Sequence, residues 1–157
     1  MSDRQEDKPD VHVHPPSVFV SAVIIGFIIR IFAGGKMPVP QMVAEGLGIV
    51  LLVAALAIAI WSITAFAESG ESLPPATPSS ALLTDGMYQY SRNPIYLAMV
   101  LFGAGLAFAT LNIWMLLTTL AAGTIINFFV IPQEEAYLER KFGIDYKEFC
   151  ERTRRWV

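Results

Sequence analysis

From Ile95 to Ile131 the chain runs for 37 residues without a charged side chain. At about 1.5 Å of rise per residue, one straight helix of that length would extend about 55 Å, nearly twice a hydrocarbon core of about 30 Å. One helix is therefore excluded. The segment ATLNIW breaks the run with Thr110 and Asn112, which predicts a tight helical hairpin with arms near 94–109 and 113–131. Arms this short leave a tilted pair or a partly re-entrant pair open. Gly103 and Gly105 in the first arm are expected to let helix backbones approach closely, as small residues do inside membranes.

Composition points the same way. Of 157 residues, 54% are hydrophobic and only 16% charged, too apolar for a soluble domain and too short for several domains. Residues 47–67, LGIVLLVAALAIAIWSITAFA, carry no charge and form the core of a span near 44–67. Residues 18–33, VFVSAVIIGFIIRIFA, form a shorter span whose Arg30 is expected to reach the headgroups. The acidic segment ahead of it reads against a cleaved leader. Between these spans, the glycines and prolines of GGKMPVPQ mark a short connection. The expected architecture is all-α: a multi-pass transmembrane helical bundle of about four spans with a C-terminal cytoplasmic amphipathic helix. Residues 1–17 form a polar tail and 18–157 one membrane domain.

Six of the 11 basic residues lie beyond the last span: Arg140, Lys141, Lys147, Arg152, Arg154 and Arg155. The positive-inside tendency puts that segment, and by counting back both termini and the connection 68–94, in the cytoplasm. The two outer loops share only Lys36. Residues 80–96 and 132–157 therefore fall on one face of the membrane.

The first half of 68–94 is rich in proline and serine and reads as irregular loop. The second half, LLTDGMYQYSRNPIY, is dense in polar groups, with an Asp-Gly turn and with Pro94 starting the third span. Arg92 and free amides at a helix start favour a carboxylate or phosphate. Interfacial anchoring by tyrosine and arginine explains the stretch equally well. The other polar segment reads IPQEEAYLERKFGIDYKEFCERTRRWV, in which Glu134 and Glu135 open a short helix after Pro132, and Leu138 and Phe142 share a face. An acid for an ammonium and a base for a carboxylate suit an amino-acid-like ligand. Cys150 is the lone cysteine, without a partner for a disulfide or a zinc site. His12 and His14 lack further ligands and read as solvated, so no metal is expected.

LLTDGMYQYSRNPIYLA, followed after the hairpin by EEAYLERKFGIDYKEFCERTRRWV, resembles the C-terminal half of the isoprenylcysteine carboxyl methyltransferase and phospholipid methyltransferase group of integral membrane enzymes. The resemblance spans roughly residues 80–157 and implies a methyltransferase that uses S-adenosylmethionine. It places the adenosine-proximal stretch on Ser80, Ala81, Leu82 and Leu83, the first motif tyrosine on Tyr88, and the Arg-Asn-Pro-x-Tyr element on Arg92, Asn93, Pro94 and Tyr96. Glu134 becomes the acid for the cofactor's ammonium, with Arg92 or the third span's amides for its carboxylate. Arg92 and Glu134 are thus the pair on which catalysis is expected to turn. The group's glycine after Tyr-Leu is here Ala98, and the basic residue four positions before the acid is here Val130. The second departure argues against a prenylcysteine carboxylate and leaves a lipid such as a phospholipid amine, a quinone-like molecule, or a hydrophobic thiol or amine open as the acceptor.

Asn127, costly facing lipid, is expected to face the bundle, where it either lines an acceptor tunnel or makes an interhelical hydrogen bond. RTRRW reads as a basic, aromatic anchor at the membrane surface. Expected partners are the lipid-like or prenylated acceptor and membrane lipids, with no nucleic acid. Two other readings stand beside this one: an NADPH-dependent membrane reductase of the sterol reductase type, and a non-enzymatic scaffold.

Overall fold

A computed structural model describes residues 14–69 and 81–157, and every regular element among them is helical. Helix α1 covers Pro15–Ala33, α2 Gln41–Ser69, α3 Pro94–Ala109 and α4 Ile113–Ile125. A π-helical turn, Ile126–Val130, joins α4 to α5, Ile131–Phe142, and α6 follows at Ile144–Arg152. One 3₁₀ turn, Gly86–Gln89, precedes α3.

The hairpin forms where its polar break predicts, because Asn112 satisfies three groups at once. Its Oδ1 accepts from the Met115 amide at 3.1 Å and caps α4, while its Nδ2 donates to the Gly26 carbonyl of α1 at 3.3 Å. Its main-chain amide donates to Ala107 at 2.8 Å. An asparagine with these partners can sit 1% exposed at the turn. The Arg30 guanidinium donates to the Thr110 carbonyl at the end of α3, so its charge lies at a helix C-terminus beside the hairpin turn.

The helices pack in the order α2, α3, α4, α1, with α1 also touching α3. Along α1, Phe19 packs with Ile126 and Val130, and near its end Gly34 accepts from Trp114 Nε1 at 2.8 Å. The two helices therefore run antiparallel. Close approach between α2 and α3 rests on glycine. A Cβ on Gly48 would lie 2.6 Å from the Ala109 amide nitrogen, and one on Gly105 would lie 3.1 Å from the Gly48 carbonyl oxygen. Gly103 faces the Thr119 side chain of α4. The expected backbone approach is borne out at Gly105, whose partner is Gly48, while at Gly103 the near neighbour is a side chain.

Outward faces of α1 and α2 are apolar, with Val20, Ile24, Phe27, Val50, Val53 and Leu56 all exposed. A row of this kind is costly in water and suits lipid. Three helices are long and apolar enough to cross a bilayer: Pro15–Ala33, Gln41–Ala67 and the continuous Ile113–Phe142. Helix α3, with 16 residues, is the shorter companion inside the bundle. The chain is thus an integral membrane protein of all-α, multi-pass architecture.

One expectation about the fourth helix needs correction. Pro132 does not separate a span from a new helix; one helical rod continues through it to Phe142. Proline removes an amide and crowds the carbonyl four residues back. The π turn immediately ahead relieves this by widening the ring, with the Ile131 amide donating to the Ile126 carbonyl five residues back. Glu134 and Glu135 are consequently held on the same continuous helix that begins at the hairpin turn.

Candidate functional site

Helices α1 and α4 are antiparallel, and α2 and α3 complete an up-and-down arrangement. The end of α2, the start of α3, helices α5 and α6 and the C-terminal residues therefore gather at one end of the bundle. A small core forms there: Tyr88, Tyr146 and Phe149, with Phe66, Leu82, Leu83, Leu138, Phe142 and Cys150 packed around them. Leu138 and Phe142 share a face, as their spacing predicts. Gly86, at φ 61°, supplies the left-handed residue of the expected Asp-Gly turn.

Consecutive acids on a helix point about 100° apart, so Glu134 and Glu135 serve different neighbours. Tyr96 donates its hydroxyl to Glu134 Oε1 at 2.6 Å. Among the described residues no cation pairs with Glu134. Glu135 instead takes two guanidinium groups. Arg155 holds it at two points, Nε to Oε1 at 3.1 Å and Nη2 to Oε2 at 2.5 Å, and Arg92 Nη1 approaches Oε1 at 3.3 Å. Arg92 Nη1 also lies 2.6 Å from Cys150 Sγ, while its Nε is buried without a partner among the described residues.

The residues ahead of α3 are fastened to the end of the chain. Arg92 donates its amide to the Arg154 carbonyl at 2.9 Å, and Asn93 Nδ2 donates to the Arg155 carbonyl at 3.0 Å. Ser91, fully buried, donates to that same carbonyl at 3.4 Å and accepts from the Asn93 amide at 3.2 Å. Further along, Trp156 Nε1 donates to Asn127 Oδ1 at 3.0 Å. Residues 153–157 thus form a strap across the front of α3. In the RTRRW segment, expected as a surface anchor, Arg155 pairs with Glu135 and Trp156 with Asn127, while Arg152 and Arg154 stay exposed.

Tyr88 is buried beside Glu134, and burial, reinforced by that carboxylate, pushes the pKa of its hydroxyl well above the usual tyrosine range. Burial does the same to Tyr146, reinforced by a hydrogen bond with Cys150. Both stay neutral donors at ordinary pH.

The predicted residues divide clearly. Tyr88, Arg92, Tyr96 and Glu134 converge at this end of the bundle. Leu82 and Leu83 pack in the small core, and Ala81 lies exposed at the loop's edge. Pro94 is buried as the first residue of α3, and the Asn93 side chain turns to the strap instead of capping that helix. Ser80 lies outside the described residues. Asn127 faces inward and, together with Leu97, Val100, Leu120, Gly123, Thr124, Phe128 and Trp156, lines a groove of about 280 Å³ between α3 and α4. Val130 is fully buried among Phe19, Tyr96 and Ile126. Glu135, Arg155, Cys150 and Trp156 were not singled out as site residues. The separation of neighbouring acids on a helix was the available signal for Glu135; nothing in the sequence shows where the last five residues fold back.

A bundle of apolar helices with a cluster of acids, tyrosines and arginines gathered at one end places the chain in the class of integral membrane proteins. The chain matches the phospholipid methyltransferase family over residues 43–145, about two thirds of its length, and belongs to that family. A stretch of 33 residues, 21% of the chain, is 48% identical to an uncharacterized protein of Haemophilus influenzae. That stretch covers 52% of the relative, so the chain spans about half the length of the curated relative it matches. No solved structure matches.

Proposed function

We propose that this protein is a methyltransferase that takes the methyl group from S-adenosylmethionine and passes it to a lipid-like acceptor. The observation that carries the reading is the meeting of Tyr96–Glu134 from α3 and α5 with Arg92 at one end of a bundle of the phospholipid methyltransferase family. A partly buried carboxylate that, among the described residues, is bonded by a neutral phenol and by no cation suits an ammonium. A buried guanidinium Nε without a partner suits a carboxylate. The residues present therefore fit the zwitterionic head of this methyl donor. Glu134 would hold the ammonium and Arg92 the carboxylate, with Tyr88 beside Glu134 on the loop side.

When bound, the donor would supply a methyl group on a sulfonium: the acceptor's lone pair would bond to the methyl carbon from the side opposite the sulfur as the carbon–sulfur bond breaks, and the sulfur would leave as a neutral thioether. The chain's part is to hold both reactants close, to orient them and to keep water out. The groove at Asn127 supports entry of an apolar acceptor from the bilayer, and its apolar lining suits an alkyl or acyl chain. The buried Val130 supports an acceptor that brings no carboxylate to that position.

Labelled S-adenosylmethionine incubated with the protein in lipid vesicles, followed by mass spectrometry of lipids and prenylated peptides, tests this. Label is expected in a lipid-like product and not with Glu134→Gln. Tight NADPH binding with no S-adenosylmethionine binding would replace the proposal with the reductase reading.

A further inference from the structure

Glu135 has two carboxylate oxygens and two guanidinium claimants, and they do not share it equally. Arg155 takes both oxygens with its fork, the geometry in which arginine and carboxylate match best. Arg92 reaches only Oε1, through one nitrogen at 3.3 Å. The side chains of Arg92 and Glu135 are 17% and 21% exposed, so water screens their attraction only in part. If the Arg155 fork were absent, Arg92 would be the nearest cation left to satisfy Glu135, and a two-point pair would turn its guanidinium away from its present position.

We propose that Arg155 is a positioning residue: by occupying both oxygens of Glu135 it limits Arg92 to a single contact with that acid and leaves the rest of the Arg92 guanidinium for an anionic group on the ligand. The proposal rests on the reading of Arg92 as a ligand-binding residue given above. Two features separate this role from simple reinforcement of the strap. The Ser91 and Asn93 side chains bond the Arg155 main-chain carbonyl, so replacing the Arg155 side chain leaves those bonds in place. Arg92 also carries its own reporter, because its Nη1 lies 2.6 Å from Cys150 Sγ and the chain has one cysteine.

The test follows iodoacetamide alkylation of Cys150, alongside S-adenosylmethionine affinity, for wild type, Arg155→Ala, Glu135→Gln and the double variant. A guanidinium beside the sulfur favours the reactive thiolate. Capture of Arg92 by Glu135 is therefore expected to slow alkylation in Arg155→Ala on the order of fivefold. Cofactor affinity is expected to fall on the order of tenfold. Adding Glu135→Gln removes the competitor and is expected to restore both. Arg155→Lys, which keeps the charge but lacks the fork, is expected to move both readouts in the same direction by less, and serves if the alanine variant does not fold. Unchanged or faster alkylation in Arg155→Ala, or no recovery in the double variant, overturns the proposal, since a loosened strap would expose the thiol in both. A wild type that shows the alkylation pattern but binds no S-adenosylmethionine keeps the positioning role and sinks the methyl-donor reading. Binding in wild type that is unaffected by Arg155→Ala does the reverse.

Discussion

Tyr96 and Glu134, 38 positions apart, meet through a hydroxyl–carboxylate hydrogen bond of 2.6 Å. The bond ties the first turn of α3 to the rod formed by α4 and α5. It also sets the donor available to an acid that no cation of the described chain approaches. Structure and ligand chemistry can be separated at this pair. Tyr96→Phe removes the donor and leaves a partly buried carboxylate short of a partner, which should lower stability by about 1–3 kcal/mol in detergent melts. Glu134→Gln keeps an acceptor for Tyr96 but removes the charge. It should melt close to wild type while losing S-adenosylmethionine affinity by roughly tenfold or more, read by equilibrium binding.

The contact of α2 with α3 supplies a matched pair of substitutions. At Gly48 a Cβ would lie 2.6 Å from a backbone nitrogen that cannot move aside, whereas at Gly46, two residues earlier on the same helix, nothing lies within 4 Å. Gly48→Ala should destabilise by about 1–3 kcal/mol through overpacking. Gly46→Ala should be neutral or stabilise by up to about 1 kcal/mol, the helix preference of alanine over glycine. Equal melting temperatures for the two variants would contradict the packing described.

Tyr88 and Tyr146 predict the alkaline limit of stability. Each is held protonated by burial in the folded state, so its folded pKa lies above its unfolded value near about 10. Their contribution is complete below that value and is lost as pH rises past it, because the unfolded chain then releases protons that the folded chain keeps. Ultraviolet titration of the folded protein should leave these two phenols neutral after pH passes about 10, and unfolding at that pH should release them. Tyr88→Phe should flatten the alkaline loss.

The groove between α3 and α4 can be filled without disturbing the bundle. Thr124 lies on its exposed side and donates only to the Leu120 carbonyl of its own helix. Thr124→Phe should raise the KM for a lipid-like acceptor severalfold and leave S-adenosylmethionine binding unchanged. An equal loss of both would mean that the groove and the polar cluster are not separate subsites.

The sequence by itself determined the membrane class, the hairpin and its turn at Asn112, the start of α3 at Pro94, and the gathering of both polar segments at one end. Each of these follows from local chemistry: the length of an uncharged run against a bilayer, an asparagine that caps, a proline that opens a helix, and the parity of the crossings. Tertiary structure alone decided which charges meet. Glu134 and Glu135 are neighbours in the chain, yet one faces Tyr96 and the other two arginines. Arg92 is committed in part to Glu135, and Asn127 to a tryptophan 29 positions away. Pro132 lies inside a continuous rod because a π turn absorbs it. Partner choice among polar side chains depends on distances set by packing of helices far apart in sequence, and no local pattern encodes those distances.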